Sequence, residues 1–149
     1  MLDIGSSTGG FTDCGLQNGV THAYALDVGS NQLAWKIRQD PRVTVMEKTN
    51  FRYSTPADFQ EGLPSFASID VSFISLKLIF PTLKTIIVPN GDVIALVKPQ
   101  FEAGKERVGK KGVVRDKAVH IDVLNDIANF AESQGFQLKN VSYSPITGG

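Results

Sequence analysis

The stretch Met1–Gly10, MLDIGSSTGG, decides the fold, because a short apolar strand there runs straight into a glycine-rich turn. Apolar residues end at Ile4, Gly5 permits a sharp reversal, Ser6 and Ser7 fill the turn, and Gly9 and Gly10 let backbone approach a ligand before Phe11 opens a helix. Two readings are open: a loop that cradles a nucleotide, or the tight strand-to-helix turn of any α/β protein. The G-x-G-x-x-G frame that grips a pyrophosphate would need glycine where Ser7 stands. A smaller ligand therefore suits this turn better than a dinucleotide.

Around that turn, 149 residues suffice for one domain with one core. Fifteen Lys and Arg balance fifteen Asp and Glu, so attraction to nucleic acid cannot come from overall charge and must be local or supplied from outside the chain. Cys14 is the single cysteine. No internal disulfide can form, a reduced cytoplasmic setting follows, and the thiol is expected as a small buried group on the first helix. Pro81, Lys84 and Pro89 interrupt the longest apolar run, which leaves nothing near the roughly 18 residues of a membrane span, and no signal peptide is present. Only four residues precede the glycine turn, fewer than the five or six of an ordinary strand, so the domain reads as cut from a longer protein.

Further along, strands alternate with helices. Phe11–Gln17 suits a short helix, and His22–Val28 reads as a buried strand with Asp27 at its carboxyl end. Asp27 falls roughly 20 residues beyond the glycine turn, where an acidic side chain accepts hydrogen bonds from ribose hydroxyls; the alternative is a helix N-cap. Leu33 and Ile37 form the apolar side of a short helix flanked by Trp35, Lys36 and Arg38, with Trp35 expected to pack. Val43–Met46 is a third strand. Beyond it, Asn50 beside Phe51 offers an edge and a face for an adenine, or is an ordinary polar loop.

Phe66–Val71 is a fourth strand and delivers Asp70 to the same edge. Leu76–Val88 keeps helical spacing, with Pro81 tolerable only near its first turn. Val93–Val97 is a continuous apolar run, the pattern of a strand buried on both faces, and Lys98 emerges directly from it. Residues 99–115 carry no period and are expected as a loop. Its basic residues Lys105, Arg107, Lys110, Lys111 and Arg115 form either a solvated face or a phosphate-contacting surface. Asp116 caps a helix that Gly135 ends; His120 within it has no partner at metal-ligand spacing, and no metal site is expected. Phe136–Tyr143 reads as a sixth strand.

The stretches LDIGSSTGGFTDC, ALDVGSNQLAWKIRQDPRV, EKTNFR, SIDVSFISL, ALVKPQFEAGKERVGKKGVVRD and SPITGG together resemble the TlyA, or hemolysin A, family of FtsJ-like ribosomal RNA 2′-O-methyltransferases, over nearly the whole chain. The resemblance implies one α/β domain over residues 1–149 with the Rossmann-like class I fold of S-adenosylmethionine (SAM)-dependent methyltransferases: a mostly parallel twisted sheet, helices on both faces, truncated at both ends. It implies SAM as cofactor and ribosomal RNA as partner, with an S4-like RNA-binding domain outside this chain. The cofactor residues would be Asp3, where such enzymes place an acidic residue two before the first glycine, with Gly5, Ser6, Ser7, Gly9, Gly10, Asp27, Val28, Asn50 and Asp70. Of the family's Lys-Asp-Lys-Glu tetrad, Asp70 in SIDVSF matches the aspartate and Lys98 in LVKPQFE the second lysine; the first lysine and the glutamate lie outside residues 1–149. Lys105, Arg107, Lys110, Lys111 and Arg115 would meet RNA. Competing expectations are a SAM-binding core without turnover, a membrane-active hemolysin, and an NAD-dependent oxidoreductase disfavoured by the glycine frame.

Overall fold

The structure, a computed structural model, describes residues 1–104, 107–108 and 112–145. Five parallel strands, β1 (Leu2–Ile4), β2 (Ala23–Leu26), β3 (Val43–Met46), β4 (Phe66–Ile69) and β5 (Asp92–Ala95), form one sheet in the order β3-β2-β1-β4-β5. The chain winds outward from β1 to β3, then returns to the other side of β1 and winds outward again. That reversal falls between β1 and β4, and in doubly wound sheets ligands bind outside the carboxyl ends of the strands at such a point.

Alternation along the strands sorts the two faces. Tyr24 and Leu26 of β2, with Leu2, Ile4, Ala67 and Ile69, join the larger core with Leu83 and Ile86 of α3 (Phe80–Ile86) and Val119, Val123 and Ile127 of α5 (Lys117–Ser133). Ala23 and Ala25 point the other way and pack with Leu16 of α1 (Gly10–Gln17) and Ile37 of α2 (Trp35–Arg38). Small alanines let the helices on that face come close, while the larger face fills with Leu, Ile, Val and Phe.

Several local expectations are corrected. Pro81 has no N–H and crowds the preceding turn, so residues 76–88 are a single 3-10 turn, Leu76–Leu78, followed by α3, with Pro81 in its first turn. Strand β5 is not buried on both faces: Val93 and Ala95 pack on the larger core, while Ile94, level with Ser68, is 53% exposed. Helices α1 and α2 flank β1 and β2 and leave that side of β5 uncovered among the described residues. The alternating segment Phe136–Tyr143 forms no strand within residues 136–145, because β structure needs a partner edge. Cys14 is exposed rather than buried, since Thr12 and Leu16 define the inner stripe of α1 and Cys14 lies two residues out of phase with both. Trp35 is 70% exposed and does not pack. The 99–115 stretch is not wholly loop: Pro99–Glu102 is a short helix, α4, with Pro in its first turn.

Candidate functional site

The glycine turn is built as its sequence requires. Gly5 has φ +81° and Gly9 φ +101°, both in the region that only glycine enters freely, and Ser7 between them is held at φ +49°. Gly5 and Ser6 donate their N–H groups to the Leu26 carbonyl at 2.9 and 3.0 Å, which seats the turn on the end of β2. A Cβ on Gly5 would collide with the Asp70 carbonyl beyond β4. The turn is therefore wedged between two strand ends and leaves no room for any other residue at position 5.

Asp3 does not reach the carboxyl edge of the sheet. It is fully buried at the centre of β1, on the face toward α1, level with Ser68 of β4. Its carboxylate accepts from the Thr12 N–H (3.1 Å), the Thr12 hydroxyl (2.7 Å) and the Ser68 hydroxyl (3.2 Å). Helix α1 opens at Gly9, which has no capping side chain, so Asp3 caps it from the neighbouring strand and sets a negative charge against its positive end. Burial raises the Asp3 pKa; its hydrogen bonds to Thr12 and Ser68 pull the other way, and the nearby Asp70 charge adds a small further rise.

Asp27 follows β2 and reaches back to the turn. Its Oδ2 accepts from the Ser7 N–H at 2.8 Å and its Oδ1 from the Gly29 N–H at 2.9 Å. Each oxygen retains capacity for one more donor. Beside it lies a shallow depression lined by Ser6, Ser7, Ala25, Asp27, Gly29, Ser30, Gln32, Leu33, Val45 and Glu47. Three of the sequence-derived cofactor residues, Ser6, Ser7 and Asp27, meet there. Gly5, Gly9 and Gly10 shape the turn, Val28 is exposed beyond Asp27, and Asn50 is spent locally, accepting from the Arg52 N–H to start a 3-10 turn.

Ser30, Gln32 and Glu47 were missed by sequence reasoning. Glu47 alone carried a signal, since it follows the last residue of β3 as Asp27 follows β2; its ion pair with Arg38 holds its carboxyl below the usual range.

On the other side of the reversal point, Lys98 follows β5 and its Nζ sits 2.6 Å from Asp70 Oδ1 and 3.1 Å from the Ser72 hydroxyl, to which it donates. Both charged side chains stay open to solvent, Lys98 at 26% and Asp70 at 36% exposure. Next to them Phe73, at φ +62°, is 91% exposed, and its ring centroid lies 5.0 Å from that of Phe101. A non-glycine residue held in left-handed backbone with its ring in water is strained for a reason other than packing. Of the basic residues, Arg107 pairs with Asp122 on α5 at 2.7 Å and Arg115 is exposed, while Lys105, Lys110 and Lys111 lie outside the described residues. Among the described residues no cluster of three His, Cys, Asp or Glu side chains stands ready for a metal, and His120 donates to the Val114 carbonyl. No described helix is long and apolar enough to cross a membrane.

A doubly wound parallel sheet with a glycine turn and acidic strand tips at its reversal point is the architecture of Rossmann-like methyltransferases. The family model for FtsJ-like methyltransferases matches residues 1–149, and the chain belongs to that family. It is 67% identical over all 149 residues to the Bacillus subtilis protein YqxC, covering 53% of that protein. It is 44% identical over 147 residues to the Mycobacterium tuberculosis 16S/23S rRNA (cytidine-2′-O)-methyltransferase TlyA, covering 99% of this chain and 54% of that one. A solved Streptococcus thermophilus structure described under the name hemolysin superimposes with a TM-score of 0.97 at 61% identity, covering 99% of this chain and 54% of that chain. The chain thus spans about half the length of the curated relatives it matches.

Proposed function

We propose that this chain is the catalytic core of a SAM-dependent methyltransferase that modifies ribose 2′-hydroxyls in ribosomal RNA. One observation carries the reading: a solvent-open lysine–aspartate pair, Lys98 and Asp70, stands at the sheet's reversal point in contact with a glycine turn. The residues on the other side of the turn fit the cofactor. Asp27 has unspent acceptor capacity for ribose hydroxyls, and the shallow depression beside it is lined by the Ser6–Ser7 turn, Ser30, Gln32 and Glu47, polar groups that can meet a nucleoside. Ser6, Ser7 and Asp27 would hold it, and once bound it supplies an electrophilic methyl group on a sulfonium.

The chain's own residues then do the positioning. Methyl transfer is an in-line displacement, so the acceptor oxygen must be held about 3 to 3.5 Å from the methyl carbon and aligned with the breaking bond. Lys98 is the group that orients this hydroxyl, because its ammonium has three N–H donors and the structure commits two, to Asp70 and Ser72. Asp70 and Ser72 draw the ammonium toward the tip of β4. An unstacked nucleotide also needs a surface for its base, and the exposed Phe73 ring beside the pair offers one. Calorimetry with SAM and with NAD tests the cofactor half: SAM binding with Asp27→Ala weakened supports it, and preference for NAD rejects it. Transfer of labelled methyl from SAM to ribosomal RNA by the full-length protein tests the other half.

A further inference from the structure

Asp70 and Lys98 must meet across two loops that leave adjacent strands, and their own attraction is a weak means of holding them. A partly exposed ion pair is screened by water and loses side-chain freedom on forming. At the base of the two loops the parallel pairing of β4 with β5, with Ile69 level with Ala95, fixes their starting points. Farther out the loops are joined a second time. Helix α4 begins immediately after Lys98, and its last residue, Glu102, reaches across to the loop that follows Asp70. Glu102 Oε2 accepts from the Ser75 hydroxyl at 2.5 Å and Oε1 from the Leu76 N–H at 2.8 Å, while Ser75 Oγ accepts in turn from the Lys77 N–H at 3.1 Å. The contact of Phe73 with Phe101 lies between the two fastenings.

The ion pair is thus enclosed by a closed circuit: β4, Asp70, the 71–75 loop, Ser75, Glu102, α4, Lys98 and β5. We propose that Glu102 is a positioning residue for methyl transfer, closing this circuit so that Lys98 and Asp70 are held as one unit. The proposal rests on the methyltransferase reading above. A carboxylate suits the task because it accepts from a hydroxyl and a backbone N–H at once, and charged acceptors make the shorter, stronger hydrogen bonds. The strained backbone at Phe73 is explained by the same circuit, since its loop is anchored on both sides of that residue.

The test uses the full-length protein carrying this chain, with Glu102→Ala, Glu102→Gln and Ser75→Ala, measuring SAM affinity, kcat and KM for transfer to ribosomal RNA. Glutamine can still accept from the Leu76 N–H and can donate to Ser75, so it serves as the conservative rescue. The expected result is a roughly tenfold to hundredfold loss of kcat in Glu102→Ala, a smaller loss in Glu102→Gln, and unchanged SAM affinity and KM. Adding Ser75→Ala to Glu102→Ala should lower kcat no further, and amide exchange at Leu76 should quicken in Glu102→Ala, which removes the acceptor of that N–H. A kcat within twofold of wild type for Glu102→Ala overturns the proposal. So does a loss shared equally by SAM affinity and not recovered by glutamine, which marks a residue needed only for folding. A wild-type protein that binds SAM but transfers nothing to RNA instead rejects the functional reading, a separate result.

Discussion

Replacing Asp3 with alanine removes one side chain that serves three buried donors, the Thr12 N–H, the Thr12 hydroxyl and the Ser68 hydroxyl. A buried donor left without a partner costs about 1–3 kcal/mol. The two hydroxyls can rotate toward neighbouring carbonyls, but the Thr12 N–H is fixed by the first turn of α1. Relief of a buried charge works in the opposite direction. The net loss is therefore about 2–3 kcal/mol, well below the sum of three stranded donors and still a large share of the roughly 5–15 kcal/mol that holds a domain together. Asp3→Asn should lose less than about 1 kcal/mol, because its Oδ1 can accept from the Thr12 N–H while its Nδ2 donates to Ser68.

The pH dependence has a definite sign. Burial raises the Asp3 pKa, so the folded chain binds that proton more tightly than the unfolded one. Wild type should gain stability relative to Asp3→Asn as pH falls through the folded pKa, and the gain should be complete below the ordinary value of 3.8. Other carboxylates titrate in both proteins and cancel in the difference. Urea denaturation followed by far-ultraviolet circular dichroism is the assay, since the exposed Trp35 is a poor reporter of core packing. An Asp3→Ala chain as stable as wild type, or a constant wild-type-to-asparagine difference between pH 7 and pH 4, would refute the account of Asp3 as an interior cap.

Gly5→Ala should unfold the turn or lower stability by more than about 2 kcal/mol, since the new methyl meets the Asp70 carbonyl and the backbone is left-handed; a melting temperature equal to wild type would count against that wedge. Asp27→Ala should weaken SAM binding by about 1–3 kcal/mol, as ribose hydroxyls lose an acceptor and the Ser7 N–H loses its partner; calorimetry on the folded variant decides. Lys98→Ala in the full-length protein should abolish transfer to ribosomal RNA while sparing SAM affinity, and near-normal turnover would remove Lys98 from the chemistry. Replacing Lys105, Arg107, Lys110 and Lys111 with serine should flatten the dependence of log RNA affinity on log salt by roughly 0.7–0.9 for each phosphate no longer neutralised; parallel lines would leave the stretch as a solvated face.

The inner strands were legible because their signal is local: apolar runs ending in Gly5, Asp27 and Asp70 read the same way in sequence and in space. Strand β5 misled because Val93–Val97 is apolar throughout, yet burial of Ile94 depends on a covering element that no sequence period reports. The alternation of Phe136–Tyr143 was real and still produced no strand, for pairing is a property of two segments. Asp3 stood at a position that fits a ligand contact by frame, and only the register placing it level with Ser68, with Thr12 above, reveals an interior cap. Glu102 was invisible for a related reason. Its partners lie 26 and 27 residues back in the chain and come within reach only because β4 and β5 are neighbours.

The reversal of winding at β1 explains why one glycine matters to both halves of the site. The turn after β1 is fastened to β2 through the Leu26 carbonyl, and Asp27 returns from β2 to hold the Ser7 N–H, so the side proposed to take the cofactor is a unit of β1 and β2. Asp70 and Lys98 form a second unit on β4 and β5, closed by Glu102. The two units are joined by the parallel pairing of β1 with β4 and by the Ser68 hydroxyl donating to Asp3, and at the strand tips by the close approach of Gly5 to the Asp70 carbonyl and the Asp70 N–H donating to the Ile4 carbonyl. A shift of the glycine turn would therefore meet the Asp70 backbone directly. On the proposed methyltransferase reading, a backbone joint of that kind would keep Asp70 and Lys98 in register with a ligand held by the turn, which is what a displacement reaction governed by distance and alignment demands.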